Sequence, residues 1–360
     1  MRRSDPLILG GGPAGSAAAI MLARGGAKPL ILERNLETGD AICGGFISWQ
    51  TLATLEQLGL GLDDLGGNPV TRLRLFTAKR SATAPLPKPA IGLSRRRFDT
   101  LLLAHALKSG ATLERGVTVR EICADGDVRT SDGARLSVAN VFLATGKHDV
   151  RGAARPRSDN ITLGLRLMLP ARPAMTALIG DAIELHLFEG GYCGVMINEN
   201  GEGNLCMAVR KSRLSAAGGD VGALITQLGQ ESPALGERIS FAGGAPVEAI
   251  SAVPYGWIAQ NTRPGLFRLG DQAAVIPSLA GEGNGIALAS GIAAAKAWAE
   301  GRSAQAYQAR FAKAAAKPVT TAMRLWEMGE RPLTAGLATR LMGLFPKIAG
   351  HFAGLTRIDS

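Results

Sequence analysis

Residues 7–34 read LILGGGPAGSAAAIMLARGGAKPLILER, and this stretch decides the fold of the domain that contains it. A short apolar run leads into Gly10, Gly12 and Gly15, which have G-x-G-x-x-G spacing, and a segment rich in small residues follows. A second apolar run ends at Glu33. The pattern predicts a strand, a tight glycine turn, a helix and a second, parallel strand.

Each glycine of this motif, and the acidic residue that follows it, has its own physical task in binding a dinucleotide. Gly10 permits the tight turn, Gly12 presents no side chain to a pyrophosphate, and Gly15 lets the helix pack close to the strand. The helix N-terminus offers free N–H groups and a partial positive charge to phosphate. Glu33 ends the second strand, where its carboxylate can accept hydrogen bonds from a ribose diol. We therefore predict a dinucleotide site.

Composition limits the class of protein. The 360 residues are 46% hydrophobic and 19% charged, and the net charge of +10 suits anionic partners. Only 5% of residues are aromatic and no dense basic run has interleaved aromatics, so we expect no nucleic-acid partner. We find no histidine, cysteine or carboxylate residues at metal-ligand spacing and no C-x-x-C pair. We also find no signal peptide and no apolar run of the ~20 residues that span a membrane. We expect a cytoplasmic protein with free thiols and no metal.

The hydrophobic pattern divides the chain into four segments. Residues 1–160 indicate a parallel core with a small β excursion, in which the Pro/Ala-rich residues 84–93 are interpreted as a hairpin or loop. Residues 161–255 alternate as a mostly antiparallel β lobe, 256–303 return to the parallel pattern, and 304–360 are helical and basic. We predict an α/β fold: a discontinuous Rossmann-type domain, an inserted β substrate lobe and a C-terminal helical tail.

A second glycine-rich motif lies in residues 266–291, which read LFRLGDQAAVIPSLAGEGNGIALASG. Together with Glu33-Arg34 and with Arg95 followed by Phe98-Asp99, it resembles the motifs of the group A flavoprotein superfamily. That superfamily includes aromatic hydroxylases, flavin halogenases and geranylgeranyl reductases. The resemblance extends to about Gly301 and implies that the dinucleotide is FAD.

The resemblance also implies a set of cofactor contacts. Asp271 is expected at a strand end, where its carboxylate would bind the ribityl hydroxyls. The N–H groups around Gly281 and Gly283, with the helix dipole, would face the flavin N1 and C2 carbonyl edge. Arg95 matches the cofactor-contacting arginine of R-x-x-F-D, and a register shift to Arg96 or Arg97 is the alternative. The predicted cofactor-binding residues are Gly10, Gly12, Pro13, Ala14, Gly15, Glu33, Arg34, Arg95, Gly270, Asp271, Pro277, Gly281, Gly283 and Asn284.

Two reactions are compatible with these motifs. Cys43-Gly44-Gly45 is similar to the C-G-G loop of the reductases and would lie near the isoalloxazine, and Tyr192 is retained from their aromatic substrate stretch. The hydroxylase stretch A-D-G-x-x-S-x-V-R is similar to residues 144–151, where Thr145 replaces the aspartate and Lys147 could attract an NADPH phosphate. Cys43 and Tyr192 are the candidate catalytic residues.

Our first hypothesis is that the protein is an NAD(P)H-dependent monooxygenase that hydroxylates an apolar aromatic or polyketide-like compound. The alternative is reduction of a carbon–carbon double bond in a lipophilic substrate, and a non-catalytic FAD-binding or electron-carrier module comes third. The tail, residues 318–358, interleaves apolar and basic side chains. It is either a set of packed helices or an amphipathic surface that covers a lipophilic channel or makes peripheral contact with a membrane.

Overall fold

The computed structural model describes residues 6–156 and 162–358. Its strands are, in chain order, β1 (Leu7–Leu9), β2 (Leu30–Glu33), β3 (Phe46–Ile47), β4 (Asn68–Phe76), β5 (Ser81–Gly92), β6 (Thr112–Arg115), β7 (Val119–Ile122), β8 (Val128–Thr130), β9 (Arg135–Leu136), β10 (Val141–Leu143), β11 (Thr162–Leu169), β12 (Ala182–Phe188), β13 (Gly191–Ile197), β14 (Gly203–Arg210), β15 (Glu248–Val253) and β16 (Leu266–Arg268).

The helices surround and connect these strands. They are α1 (Pro13–Arg24), α2 (Trp49–Gln57), α3 (Leu62–Leu65), α4 (Arg95–Lys108), α5 (Pro173–Ile179), α6 (Lys211–Ala216), α7 (Val221–Glu231), α8 (Pro233–Ser240), α9 (Gly283–Ala299), α10 (Ala304–Gly329), α11 (Pro332–Leu344) and α12 (Lys347–Leu355). Two short 3₁₀ helices, Gly270–Gln272 and Ser278–Ala280, precede α9.

The first sheet is parallel and has the strand order β16-β10-β1-β2-β6. β1 is buried along its whole length and pairs with both β2 and β10. Because parallel strands end at a common edge, the loops that follow β1, β2, β10 and β16 meet there. The α/β fold class is confirmed, and β16 brings the second glycine-rich motif back beside the first.

Small residues let α1 and α9 approach each other and the sheet. Ala17 and Ala18 of α1 are fully buried. A Cβ added at Gly291 of α9 would lie 2.4 Å from the carbonyl oxygen of Ala14. The alanine-rich composition of both helices therefore reflects close backbone packing behind the glycine turn.

The second sheet has the order β15-β11-β14-β13-β12-β4-β5-β3. Its pairs are antiparallel except for β12 with β4, which run parallel. The prediction confined this lobe to residues 161–255, but three of its strands, β3 to β5, come from the first segment of the chain. They extend the sheet because β4 continues the ladder beyond β12, pairing Arg72 with Ala182. The smaller sheet β7-β8-β9 is the predicted β excursion.

The interpretation of residues 84–93 as a hairpin or loop is wrong, because most of this stretch belongs to the twelve-residue strand β5. Pro87 and Pro89 lie between the pairs Arg72–Pro85 and Val70–Ala90, where the ladder between β5 and β4 is interrupted and needs no N–H from them. On either side of this irregular stretch β5 pairs antiparallel with β4, whereas β3 covers only its end. Proline is therefore compatible with the strand.

The C-terminal helices close the structure over the second sheet. α11 and α12 both pack against β5, and α10 packs against α9. In the residues that the structure describes, no helix is both long and apolar enough to cross a bilayer.

Candidate functional site

A cavity of about 1220 Å³ lies between the carboxyl edge of the parallel sheet and one face of the second sheet, with the C-terminal helices along its far wall. Ligand pockets are typically about 300–1,000 Å³, so this one has room for a dinucleotide and a further molecule. Cys43, Tyr192 and most of the predicted cofactor-binding residues line it; Gly15 and Pro277 do not.

The geometry of the glycine motif agrees with the task predicted for each of its glycines. Gly10 has a φ of +105°, and a Cβ there would lie 2.5 Å from the carbonyl oxygen of Ala144. A Cβ at Gly15 would lie 2.0 Å from the carbonyl oxygen of Gly10. At Gly12, by contrast, a Cβ would meet only Nη2 of Arg95, at 3.8 Å. Gly10 and Gly15 serve the fold, whereas Gly12 keeps a surface of the cavity bare.

Glu33 and Arg34 lie at the end of β2 on the cavity wall. The Glu33 carboxylate accepts hydrogen bonds from the backbone N–H of Gly11, at 2.9 Å, and of Asn35, at 3.0 Å. These bonds fix the carboxylate while leaving each oxygen a further lone pair for a ligand hydroxyl. Nη2 of Arg34 is 2.6 Å from Nε2 of His148, and burial together with Arg34 lowers the pKa of His148.

Arg95 is the arginine that faces the cavity. Its guanidinium donates to both carboxylate oxygens of Asp99, at 2.8 and 2.7 Å. Burial by itself would lower the pKa of Arg95, but the ion pair with Asp99 raises it above its ordinary value. Arg96 does not line the cavity, and Arg97 donates to the backbone oxygen of Leu65. The geometry therefore favours Arg95 over its two neighbours.

The second motif surrounds the opposite side of the cavity. Asp271 lies in the 3₁₀ turn after β16, not at the strand end itself, and its side chain lines the cavity. Gly270 donates its N–H to Oγ of Ser290, which holds this turn against α9. Gly281 has a φ of +63°, and a Cβ at Gly283 would meet nothing within 4 Å. The start of α9 thus presents bare backbone, with Asn284 beside it, to the cavity.

A buried ion pair secures this loop from the far end of the chain. Glu282, at the N-cap of α9, is fully buried, forms an ion pair with Arg357 and accepts a hydrogen bond from Ser48. Arg357 also donates to the carbonyl oxygen of Ala280, at 3.0 Å, and stacks over Trp49. Burial raises the pKa of Glu282 although Arg357 opposes that rise.

We expect Arg357→Met to weaken FAD binding about tenfold or more, because it leaves the buried Glu282 carboxylate without its cation and releases the loop next to Gly283. Fluorescence titration of the apoprotein with FAD measures this. Arg340→Met, at an exposed position on α11, is the matched control and should leave the FAD dissociation constant unchanged. Equal affinity in the Arg357 variant and the wild type would contradict the expectation.

The loop that carries Cys43 joins the two halves of the cavity. Its thiol lies on the cavity wall, and its carbonyl oxygen accepts a hydrogen bond from Nδ2 of Asn204 at 2.8 Å. Lys147 donates to the neighbouring carbonyl of Ile42 at 2.9 Å. Lys147, which the sequence analysis named as a residue that could attract an NADPH phosphate, holds this loop in the structure.

Three hydroxyl groups form a cluster in the otherwise apolar part of the cavity. Tyr192 donates to Oγ of Ser278 at 2.7 Å, and the hydroxyl of Tyr255 is 2.6 Å from the same oxygen. Burial raises the pKa of both phenols, so both stay protonated at neutral pH. Sequence reasoning found Tyr192 but missed the other two, because β13 and the loop after β15 meet only in the folded chain.

The rest of the cavity is apolar and extends away from the dinucleotide motif. Leucines of β4 and β12 form one wall, and side chains of α10, α11 and α12 form the other. The apolar lining residues of this region are Leu73, Leu75, Ile183, Leu185, Leu187, Leu325, Met328, Leu341, Met342, Ile348 and Phe352. We call this region the apolar channel.

Residues 3–135 match the family model described as FAD binding domain. The chain is 26% identical over 329 residues to menaquinone reductase of Mycolicibacterium smegmatis, covering 83% of this chain and 77% of that protein. It is also 26% identical over 315 residues to digeranylgeranylglycerophospholipid reductase 2 of Methanopyrus kandleri, covering 82% and 77%. The protein is an FAD-dependent oxidoreductase, and the match and these relatives are consistent with the group A flavoproteins.

Solved structures of other flavoproteins have a fold similar to that of this FAD-dependent oxidoreductase. Pseudomonas aeruginosa PqsL in complex with 2-aminobenzoylacetate matches with a TM-score of 0.74 at 18% identity, covering 94% of this chain and all of PqsL. The flavin-dependent brominase Bmp2 matches with a TM-score of 0.77 at 16% identity, covering 99% and 95%. At these identities the likeness concerns the fold alone.

The geometry of the cavity fits FAD, independently of the comparison with relatives. The unobstructed backbone at Gly12 and Gly283, on opposite sides, leaves N–H groups of two helix starts open to anionic groups. Glu33 and Asp271 supply carboxylates for hydroxyl groups, and Arg95 supplies a fixed positive charge. The individual contacts to FAD remain predictions, but the site is built from the required donors and acceptors.

Proposed function

We propose that this enzyme reduces a carbon–carbon double bond of a lipophilic, isoprenoid-like substrate. The observation that carries the proposal is the apolar channel, which is continuous with the dinucleotide half of the cavity. The names of the two sequence relatives, a menaquinone reductase and a digeranylgeranylglycerophospholipid reductase, favour the same substrate class. The sequence motifs placed hydroxylation first; the channel and these relatives shift our preference to reduction.

The chain's own residues have three tasks in this proposal. FAD, when bound and reduced, supplies a hydride equivalent. The leucines of β4 and β12 hold the alkene chain and exclude water, and the loop of Cys43 lines the same cavity. The hydroxyls of Tyr192, Tyr255 and Ser278 keep protons available at the cavity wall, since saturation of the double bond also requires a proton. We propose NAD(P)H as the electron donor.

A single-turnover experiment tests the reaction. The FAD-loaded enzyme is reduced with dithionite without oxygen and then mixed with an unsaturated isoprenoid ether lipid, which has no quinone ring that could take up the electrons instead of the double bond. We expect the flavin to be reoxidised without oxygen and mass spectrometry to show that the lipid side chain gains two hydrogens. A fully saturated ether lipid is the matched control and should leave the flavin reduced. Reoxidation that requires O₂, with a product that gains oxygen, would establish hydroxylation instead.

Replacing Cys43 tests the position assigned to its loop. We expect Cys43→Ser to lower the single-turnover rate about tenfold, which corresponds to about 1.4 kcal/mol of barrier, because the thiol borders the reacting part of the substrate. FAD affinity should not change. Cys123→Ser, outside the cavity, is the control. An unaltered rate in Cys43→Ser would remove this residue from the reaction.

A further inference from the structure

Exposed large apolar side chains are concentrated on one surface of the protein. Among the described residues, ten large hydrophobic side chains are exposed, and seven of them lie between the end of α10 and α12. We call these seven the C-terminal apolar face: Met328, Leu333, Leu337, Leu341, Leu344, Phe345 and Phe352. Apolar clusters of this kind mark a site of interaction with a partner or a membrane.

α11 supplies the centre of this face. Leu333, Leu337 and Leu341 follow one another at intervals of four residues, so they form a single stripe along the helix. They are 90%, 56% and 40% exposed. The opposite side of α11, with Ala335 and Met342, is buried against the body of the protein. The helix therefore has an inner apolar side that serves the fold and an outer one that the described chain does not cover.

Positive charge surrounds the leucine stripe. Residues 331–358 contain Arg331, Arg340, Lys347 and Arg357 and no aspartate or glutamate. The first three are exposed, whereas Arg357 is engaged with Glu282. An outward apolar stripe flanked by cations is complementary to a bilayer whose headgroups are anionic.

The apolar channel and the C-terminal apolar face share residues. Leu341 and Phe352, which are 40% and 41% exposed, belong to this face and also line the channel. A lipid that leaves a bilayer in contact with the C-terminal apolar face would enter the channel without crossing water.

We propose that the C-terminal apolar face docks on an anionic phospholipid bilayer. The leucine stripe enters the boundary between headgroups and acyl chains, and Arg331, Arg340 and Lys347 pair with lipid phosphates. A symmetric contact between two copies of the chain is less favourable, because it would bring both sets of cations together, with the exposed Glu327 beside Met328 as the carboxylate next to the face. This inference concerns binding and does not depend on which reaction the enzyme performs.

Sedimentation with vesicles tests the docking of the FAD-loaded enzyme. We expect binding to vesicles that contain phosphatidylglycerol, with little binding to pure phosphatidylcholine and weakening as salt is raised. The double variant Leu333→Ser/Leu337→Ser should lower the partition coefficient at least about tenfold. Arg331→Gln/Arg340→Gln should lower it about fivefold per charge and reduce the salt dependence. Leu62→Ser/Leu107→Ser, which alters two exposed leucines elsewhere, is the matched control and should bind like the wild type.

Hydrogen exchange of the wild type keeps the test decisive if the leucine variant does not fold. Residues 331–345 should gain protection on vesicles with phosphatidylglycerol and not on phosphatidylcholine alone. The proposal is overturned if the wild type does not bind anionic vesicles or if the leucine variant binds equally well. It is also overturned if ultracentrifugation shows a dimer that Leu333→Ser/Leu337→Ser dissociates, since the face would then join two copies.

Discussion

Gly12→Val will give a folded protein that purifies without its yellow colour. A valine Cβ at this position meets only Nη2 of Arg95, at 3.8 Å, so the fold has room for the side chain. Its methyl groups, however, occupy the side of the cavity where the first N–H groups of α1 are exposed. We expect FAD affinity to fall at least about a hundredfold, equivalent to about 2.7 kcal/mol. Titration of the apoprotein with FAD, alongside its thermal unfolding, measures both effects.

The comparison with Gly15→Val makes this prediction specific. A Cβ at Gly15 would lie 2.0 Å from the carbonyl oxygen of Gly10 and 3.1 Å from Cγ2 of Ile8. We therefore expect Gly15→Val to destabilise the apoprotein, by at least about 2 kcal/mol. The two glycines thus separate binding from folding within one motif. If Gly12→Val retains FAD, the phosphate-binding role of the exposed helix start is wrong.

Gly194→Leu will abolish turnover of a long lipophilic substrate by filling the apolar channel. Gly194 lies on β13, two residues from Tyr192 and so on the same face of the sheet, and it lines the cavity. A Cβ there would make ordinary contacts, the nearest at 3.7 Å from the carbonyl oxygen of Cys206. The strand can therefore carry a side chain that projects into the channel. We expect kcat/KM to fall at least about a hundredfold, equivalent to about 2.7 kcal/mol of transition-state stabilisation.

Gly194→Ala is the matched control for the channel variant. One methyl group fits the contacts around this position, so activity should fall only a few-fold. FAD affinity should be close to that of the wild type in both variants, because the glycine motif and Glu33 lie on the other sheet. Full activity in Gly194→Leu would show that the substrate does not occupy this part of the cavity.

The dinucleotide half of the site could be predicted from sequence because its signals are local. The glycine spacing, the small-residue helix and the acidic strand end all lie within residues 7–34, and each reflects a backbone requirement that a single residue type satisfies. The strands of residues 162–210 are also predicted from local signals, since the pattern of apolar residues lies within each segment. In β5 the prolines suggested a loop, and only the pairing with β4 shows a strand.

The substrate half, and the support of the second glycine-rich loop, depend on contacts between residues far apart in the chain. Ser278 joins Tyr192 and Tyr255, and Glu282 joins Arg357 across 75 residues. The hydrophobic periodicity of the sequence cannot reveal such pairs, because each partner is an ordinary polar residue in its own segment. The sequence also left the tail as either packed helices or an interaction surface, and in the structure α11 buries one side against the body of the protein and exposes an apolar stripe on the other.

The sequence by itself determined the cofactor class and the α/β architecture, since these follow from local spacing and from the period of the apolar residues. The tertiary structure alone decided that Arg95, and neither Arg96 nor Arg97, faces the cavity, and that the C-terminal helices wall an apolar channel. The physical reason is that a backbone conformation is encoded by neighbouring residues. The walls of a cavity, by contrast, come from segments that are far apart in the sequence and meet only in the folded chain.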